Sequence, residues 1–307
     1  MIAPLKFFIL KVHSFESAPA RRAVLPTRVS TLGESCENIS MNNNSRSGDG
    51  MEFIEVSRND DDIAVLKLNR PKANALSPEL LIELKTAADE LHLTLPRALV
   101  IWGGEKIFAA GADISRFGDH ELAKEIGGLF HAALNRIAEL PRPTIAAIAG
   151  YALGGGCELA LACDFRIASP EAKLGQPEIL LGIIPGGGGT QRLPRVVGVP
   201  KAKELIFSGR NVDTSEALAI GLIDSIAPSR EELLASAIAF IEPMAKGAST
   251  SIGLAKAAID IGIDAQLSQG LETELEQFAE SFKTQDSQIG VKSFLENGPG
   301  KAQFTGK

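Results

Sequence analysis

An α/β fold with a helical C-terminal third is predicted by three observations. Short β-rich runs alternate with segments of helical periodicity from Met51 to about Pro185. Two of those runs, ALVIWGG from Ala98 and TIAAIAG from Thr144, show no polar alternation, the pattern of strands covered on both faces. Beyond Pro185 nearly every segment carries helical spacing, with LIDSI as one short strand. Strands joined by crossover helices predict a largely parallel sheet with right-handed connections.

Taken in order, FIEV and IAVLKLN are joined by the polar turn Arg58–Asp62 and predict a pair of strands. Ser77-Pro78-Glu79 is a helix start: a Ser cap, Pro at the first helical position and an acid in the first turn. Leu80, Leu84, Ala87 and Leu91 then line one face. After ALVIWGG, the small-residue loop FAAGADIS leads to a second helix. Its Leu122, Ile126, Leu129, Leu134 and Ile137 fall near a 3.6-residue period, and Pro141 and Pro143 stop it. TIAAIAG, the glycine turn GYALGGG, a helix opening with CELALAC, the strand DFRIAS and the segment KLGQPEILLGIIP follow. The domain is expected over residues 51–245, with a helical C-terminal region at 246–307. Residues 1–50 lack periodicity and are expected to be a disordered leader or to follow from a start assigned too early.

The composition excludes several classes of function. A net charge of −7 without a basic cluster gives no nucleic-acid surface, and no run of about 18 apolar residues exists to span a membrane. Cys36, Cys157 and Cys163 lack CxxC spacing and read as reduced thiols in a reducing compartment. The expected location is therefore cytoplasmic, or the mitochondrial matrix if Arg21, Arg22 and Arg28 belong to a presequence. His13, His92, His120 and His131 form no HExxH, and no metal site is expected.

The glycine turn is neither a P-loop, since Gly156-Cys157 stands where Lys-Ser/Thr is required, nor a GxGxxG or GxSxG motif. What it offers is unpartnered backbone N–H at a helix start, suited to a developing oxyanion. Ala112 N–H, from FAAGADIS, could meet Gly155 N–H across such an oxygen. Glu158 and Glu178 each stand alone among apolar residues, and an isolated buried carboxylate costs several kcal/mol unless it is bonded or protonated. One reading is structural acids satisfied by an Arg or by backbone N–H groups. The other is a facing pair, an acid and a base with raised pKa values around one water. Asp113 reads as a local cap or as a third acid.

LNRPKANAL, FAAGADI, GYALGGGCELALACD and GQPEILLGIIPGGGGTQRLPR, in this order over about Phe53 to Phe304, resemble the enoyl-CoA hydratase/isomerase (crotonase) family. The resemblance implies crotonase-like stacked ββα units in a spiral, with a C-terminal helical trimerisation region and homotrimers or homohexamers. It implies an acyl-CoA thioester substrate and no cofactor, coenzyme A being part of the substrate. By motif position Ala112 and Gly155 match the oxyanion hole, Glu158 the residue that activates water, and Glu178 the one that exchanges a proton at the α-carbon. Lys72, Ala73, Ala75, Ala110, Asp113 and Ile114 match the coenzyme A stretches, and Gly186 N–H matches a position near Glu178 or the water. Ser115 departs from the Lys of many hydratases, with Arg116 as the substitute. Both glutamates together imply a hydratase forming 3-hydroxyacyl-CoA from trans-2-enoyl-CoA. The alternatives are a Δ3-Δ2 enoyl-CoA isomerase and a catalytically idle coenzyme-A-binding scaffold.

Overall fold

The computed structural model describes residues 51–307, so the expectation for residues 1–50 lies outside the described residues. The chain opens with the antiparallel pair β1 (Ile54–Arg58) and β2 (Ile63–Leu68), followed by α1 (Pro78–Leu93), capped by the Ser77 hydroxyl, which accepts from Leu80 N–H at 3.3 Å. Strand β3 (Ala98–Trp102) leads through a 3-10 turn at Ile114–Arg116 to α2 (His120–Ala138). Then come β4 (Thr144–Ile148), β5 (Tyr151–Leu153), α3 (Gly155–Leu161), β6 (Phe165–Ala168) and β7 (Lys173–Gly175). A second 3-10 turn, Pro177–Leu181, precedes α4 (Gly189–Val197), α5 (Val199–Ser208), β8 (Val212–Asp213), α6 (Thr214–Ala219) and β9 (Ser225–Ile226). Helices α7 (Leu233–Ala245), α8 (Ser249–Ile263), α9 (Leu267–Ser281) and α10 (Gln285–Asn297) complete the chain.

Two sheets result. The larger has the order β1-β2-β3-β4-β6-β9, parallel from β2 onward, and the smaller has the order β5-β7-β8. The unalternating strands are explained by cover on both faces. In β3, Leu99 and Ile101 join the cluster with Leu84 and Leu134, from α1 and α2. Ala98 and Val100 point the other way, against Leu233, Ala237 and Ile241 of α7. Truncating a fully buried Leu or Ile of this kind costs about 2–5 kcal/mol.

The smaller sheet positions the chemistry. After leaving a strand of the large sheet, the chain makes a short extended step in a second layer: Ala109 after β3, β5 after β4, and β7 after β6. These steps line up, Ala109 bridging Ala152 and β5 pairing in parallel with β7. The residues that follow each step, Ala112, Gly155 and Glu178, are therefore delivered to one end of the layer. The repetition is the stacked ββα arrangement, and the crossovers are its turns.

Three expectations are corrected. Leu122, expected on the apolar face of α2, is exposed, because the buried face of α2 begins only at Ile126. The stretch from Pro177 to Ile184 is not buried: Glu178 is half-buried and Leu180 is 70% exposed, with Leu181, Ile183 and Ile184 also open. A tight 3-10 turn at the rim, and the loop that follows Gly182, present their aliphatic side chains outward, so apolar composition there does not mean core. Finally, the C-terminal third contains β8 as well as β9; two residues suffice because β8 pairs with β7 already in place. No helix among the described residues is long and apolar enough to cross a membrane.

Candidate active site

The site begins where β5 ends. Gly154 takes φ +51°, the left-handed region that a side chain resists, and starts α3 without a side-chain cap. A methyl on Gly156 would overlap the Ala109 carbonyl, so the helix start lies directly against the exit from β3. The point where a Gly155 Cβ would stand is 3.4 Å from Ala112 N. The bridge between Leu76 and Ala112 uses Leu76 N–H donating to Gly111 O (2.8 Å) and Asp113 N–H donating to Leu76 O (3.1 Å). Ala112 N–H takes no part in it. At Gly155, the first helical residue, the N–H has no intrahelical acceptor by construction. Two free donors from different ββα units thus lie side by side, each able to reach one ligand oxygen.

Glu158 follows one turn into α3 and is 2% exposed. Its Oε1 accepts from Gly187 N–H and Gly189 N–H, both at 2.7 Å, at the point where α4 begins. Both donors go to one oxygen, which leaves Oε2 without a hydrogen-bond partner, on the side of Gly187 and the Phe130 ring. Burial raises the pKa, against the pull of the two N–H bonds and of the charges of Arg192 and His131; the balance is a raised value.

Glu178 approaches from the second 3-10 turn, its Oε1 3.0 Å from the point where a Cβ on Gly154 would stand. Buried Gln176, turned with its amide nitrogen toward the acid, donates to both carboxyl oxygens at 3.1 and 3.3 Å. Burial, and after it the negative charge of Glu158, push Glu178 up to about 7. The charge of Glu158 thus favours the protonated form of Glu178.

The remaining residues form the rim. Ala110 N–H donates to Ala73 O (3.0 Å), and Arg70 spans both loops, bonding Ala75 O (3.0 Å) and the Asp113 carboxylate (2.8 Å). Asp113 also caps the first 3-10 turn, accepting from Ser115 N–H and Oγ, and Ile114 is exposed on that turn. Lys72 sits at φ +77° beside a cavity of about 370 Å³ lined also by Lys67, Asn69 and Lys106. Arg116 pairs with Glu79 on the surface. Gly186 is exposed, one residue ahead of the loop donors. Cys157 and Cys163 are free and buried, and burial pushes both thiols up to about 12. Such thiols are unreactive near neutral pH.

The family model of enoyl-CoA hydratase/isomerase matches residues 58–307. The chain belongs to that family. It is 42% identical over 247 residues, 80% of the chain and 95% of the relative, to a probable enoyl-CoA hydratase, echA8, of Mycobacterium bovis. It is 39% identical to the crotonyl-CoA hydratase of Syntrophomonas wolfei, covering 82% of the chain and 98% of that protein. Among solved structures, an enoyl-CoA hydratase from Bacillus anthracis superposes with a TM-score of 0.78 at 38% identity, covering 83% of the chain and all of that structure.

In this hydratase/isomerase, four residues at the centre of the site escaped the sequence reading: Phe130, Gln176, Gly187 and Gly189. The only sequence signal for Gly187 and Gly189 is the run of glycines before TQRLPR, which is too flexible to say which N–H points where. Gly187 gives the sharpest local test. A methyl there would stand 2.6 Å from Glu158 Oε2 and 2.9 Å from the Phe130 ring, so the carboxylate must move. Gly187→Ala is expected to lower kcat by roughly 10- to 100-fold, as displacements near 1 Å do, with a melting temperature close to wild type. Steady-state kinetics with an enoyl-CoA and a thermal melt decide it.

Proposed function

We infer that this enzyme is an enoyl-CoA hydratase, adding water syn across a trans-2-enoyl-CoA to give a 3-hydroxyacyl-CoA. The observation that carries this is the carboxyl pair: Glu158 is held by two N–H groups with one oxygen free, and Glu178 sits near a pKa of about 7. In the proposed step the thioester carbonyl lies between Ala112 N–H and Gly155 N–H. Glu158 Oε2 takes a proton as the water oxygen bonds to the β-carbon. The π electrons move toward the carbonyl oxygen, where the two donors stabilise the growing charge more than they do the ground state. Glu178 then delivers its proton to the α-carbon. The proton gained by Glu158 and the one lost by Glu178 restore the pair after exchange with solvent, so this chemistry calls for no cofactor.

Lys72, Ala73, Ala75, Ala110, Asp113, Ile114 and Gly186 are proposed as the coenzyme A and substrate rim, supported by the bonds that tie the 70–75 and 110–114 loops together. A homotrimer or homohexamer is supported by apolar side chains exposed along α9 and α10, such as Leu267, Leu275, Phe278 and Phe294, together with Leu180 and Ile184. Light scattering on the purified protein checks it. A cytoplasmic, reducing setting is supported by the two free thiols, with the mitochondrial matrix as the alternative.

The deciding assay offers 2-enoyl-CoA and 3-enoyl-CoA thioesters separately, over a series of chain lengths. Hydration of the 2-enoyl substrate supports the reading. Isomerisation of the 3-enoyl substrate without hydration would replace it with the Δ3-Δ2 isomerase, and tight acyl-CoA binding without turnover would replace it with a scaffold. A pH profile follows from the pair. Hydration needs Glu158 ionised and Glu178 protonated, dehydration the reverse, and each is a form of the same one-proton state. The kcat/KM profile is therefore expected to be bell-shaped in both directions. It falls on the acid side as Glu158 protonates and on the alkaline side as pH rises through about 7, where Glu178 ionises. A flat profile from pH 6 to 9 would contradict the pairing.

A further inference from the structure

TQRLPR contains an arginine that the proposed chemistry leaves unused. Arg192 stands in the first turn of α4. Its Nη1 donates to Gly187 O at 3.1 Å, and its Nη2 donates to Asn135 Oδ1, on α2, at 2.6 Å. Gly188 takes φ +111°, and a methyl on it would overlap the guanidinium, so the arginine packs directly against this glycine. The N–H groups on either side of that peptide unit, Gly187 and Gly189, are the two that hold Glu158. Arg192 forms no salt bridge with a carboxylate among the described residues, although other arginines of this chain, such as Arg195 and Arg210, do. A half-buried guanidinium left unpaired is a desolvation cost, and here the acid nearest to gaining from it electrostatically is Glu158.

We propose that Arg192 is a positioning residue for the hydration step. It locks the Gly187–Gly189 loop to α2, so that both N–H groups address Glu158 Oε1, and it places a fixed positive charge behind that carboxylate. The proposal rests on the reading of Glu158 as the base. Asn135 is its mechanical anchor, one helical turn beyond the stretch of α2 that carries Phe130 and His131. The charged and titratable groups facing this cluster are Glu158 on α3, Glu178 on the second 3-10 turn, and His131 and Glu139 on α2. Cys163, just past the end of α3, stays neutral. Among them Arg192 is the permanent cation, because an arginine cannot be neutralised in the working pH range.

The two halves of the role separate in three full-length variants. Arg192→Gln removes charge and fork, Arg192→Lys keeps the charge and loses the fork, and Asn135→Ala keeps both while releasing the anchor. Each is assayed for kcat and KM with crotonyl-CoA. The titration of Glu158 is read without substrate, by infrared difference against the same variant carrying Glu158→Gln. Arg192→Gln is expected to lose roughly 10- to 100-fold in kcat with KM changed by less than about threefold, and its Glu158 is expected to titrate about one pH unit higher. Arg192→Lys should retain most of the titration midpoint but not the rate. Asn135→Ala should leave the midpoint in place and lose about 3- to 10-fold in kcat. A folded Arg192→Gln with an unmoved Glu158 midpoint, or with wild-type kcat, overturns the proposal. If Arg192→Gln does not fold, the Lys and Ala variants decide: full kcat in both overturns it. A wild-type protein that hydrates no enoyl-CoA overturns the reading of Glu158 as the base instead, and the two failures are told apart because the infrared titration needs no turnover.

Discussion

Glu158→Gln is expected to lower the hydration kcat by about 10²- to 10⁴-fold, the range for losing one general acid or base. The substitution isolates the chemistry well. A glutamine carbonyl can still accept from Gly187 N–H and Gly189 N–H, so the loop stays in place while the free oxygen is replaced by an amide that cannot take a proton. Glu178→Gln is expected to fall in the same range, because the amide cannot deliver a proton to the α-carbon, although Gln176 can still face it. The two losses should combine less than additively, since both residues act in one transition state and the second removal acts on a step already abandoned. Neither variant should lose stability. Each removes a carboxyl whose charged form burial already disfavours, so melting temperatures should stay level or rise. Hydration within tenfold of wild type in either single variant would contradict the assigned roles.

How far these features could be read from the chain depends on where their cause lies. The strands Ala98–Trp102 and Thr144–Ile148 were legible because burial on both faces writes itself into consecutive residues. The start of α1 was legible because a Ser cap and a Pro at the first position act within four residues. Burial of Glu158 was legible because all its helical neighbours are apolar. The three-residue β5 was hidden inside a glycine-flanked turn, since its existence depends on Ala109 and β7, which lie far away in sequence. The exposure of Leu180 and Leu181 was hidden for the opposite reason: composition marks them as core, while the geometry of the 3-10 turn places them on the rim. The bonds from Gly187 and Gly189 to Glu158 span 29 and 31 residues, and no local pattern among five successive small residues selects those two donors over Gly186. Arg192 shares this limit, because its meaning comes from Gly187 O and Asn135, neither of which is marked in sequence.

Ala112→Pro is the second large effect, and it tests the oxyanion donors without touching either glutamate. Proline removes this N–H, holds φ at about −65° and puts its Cδ on the side to which the hydrogen pointed. The bridge to Leu76 runs through Gly111 O and Asp113 N–H, so no ladder bond is lost, and Ala112 already carries a Cβ. Loss of one such donor typically costs about 2.7–4 kcal/mol of transition-state stabilisation, so kcat is expected to fall by about 10²- to 10³-fold. Ala112→Val keeps the N–H and adds its bulk on Cβ instead, and it should stay within about tenfold of wild type. A proline variant that folds, binds acyl-CoA and turns over at the rate of the valine variant would remove Ala112 from the oxyanion hole. Gly155 N–H would then be the single donor, and a site with one donor would have to draw the rest of its charge stabilisation from the start of α3.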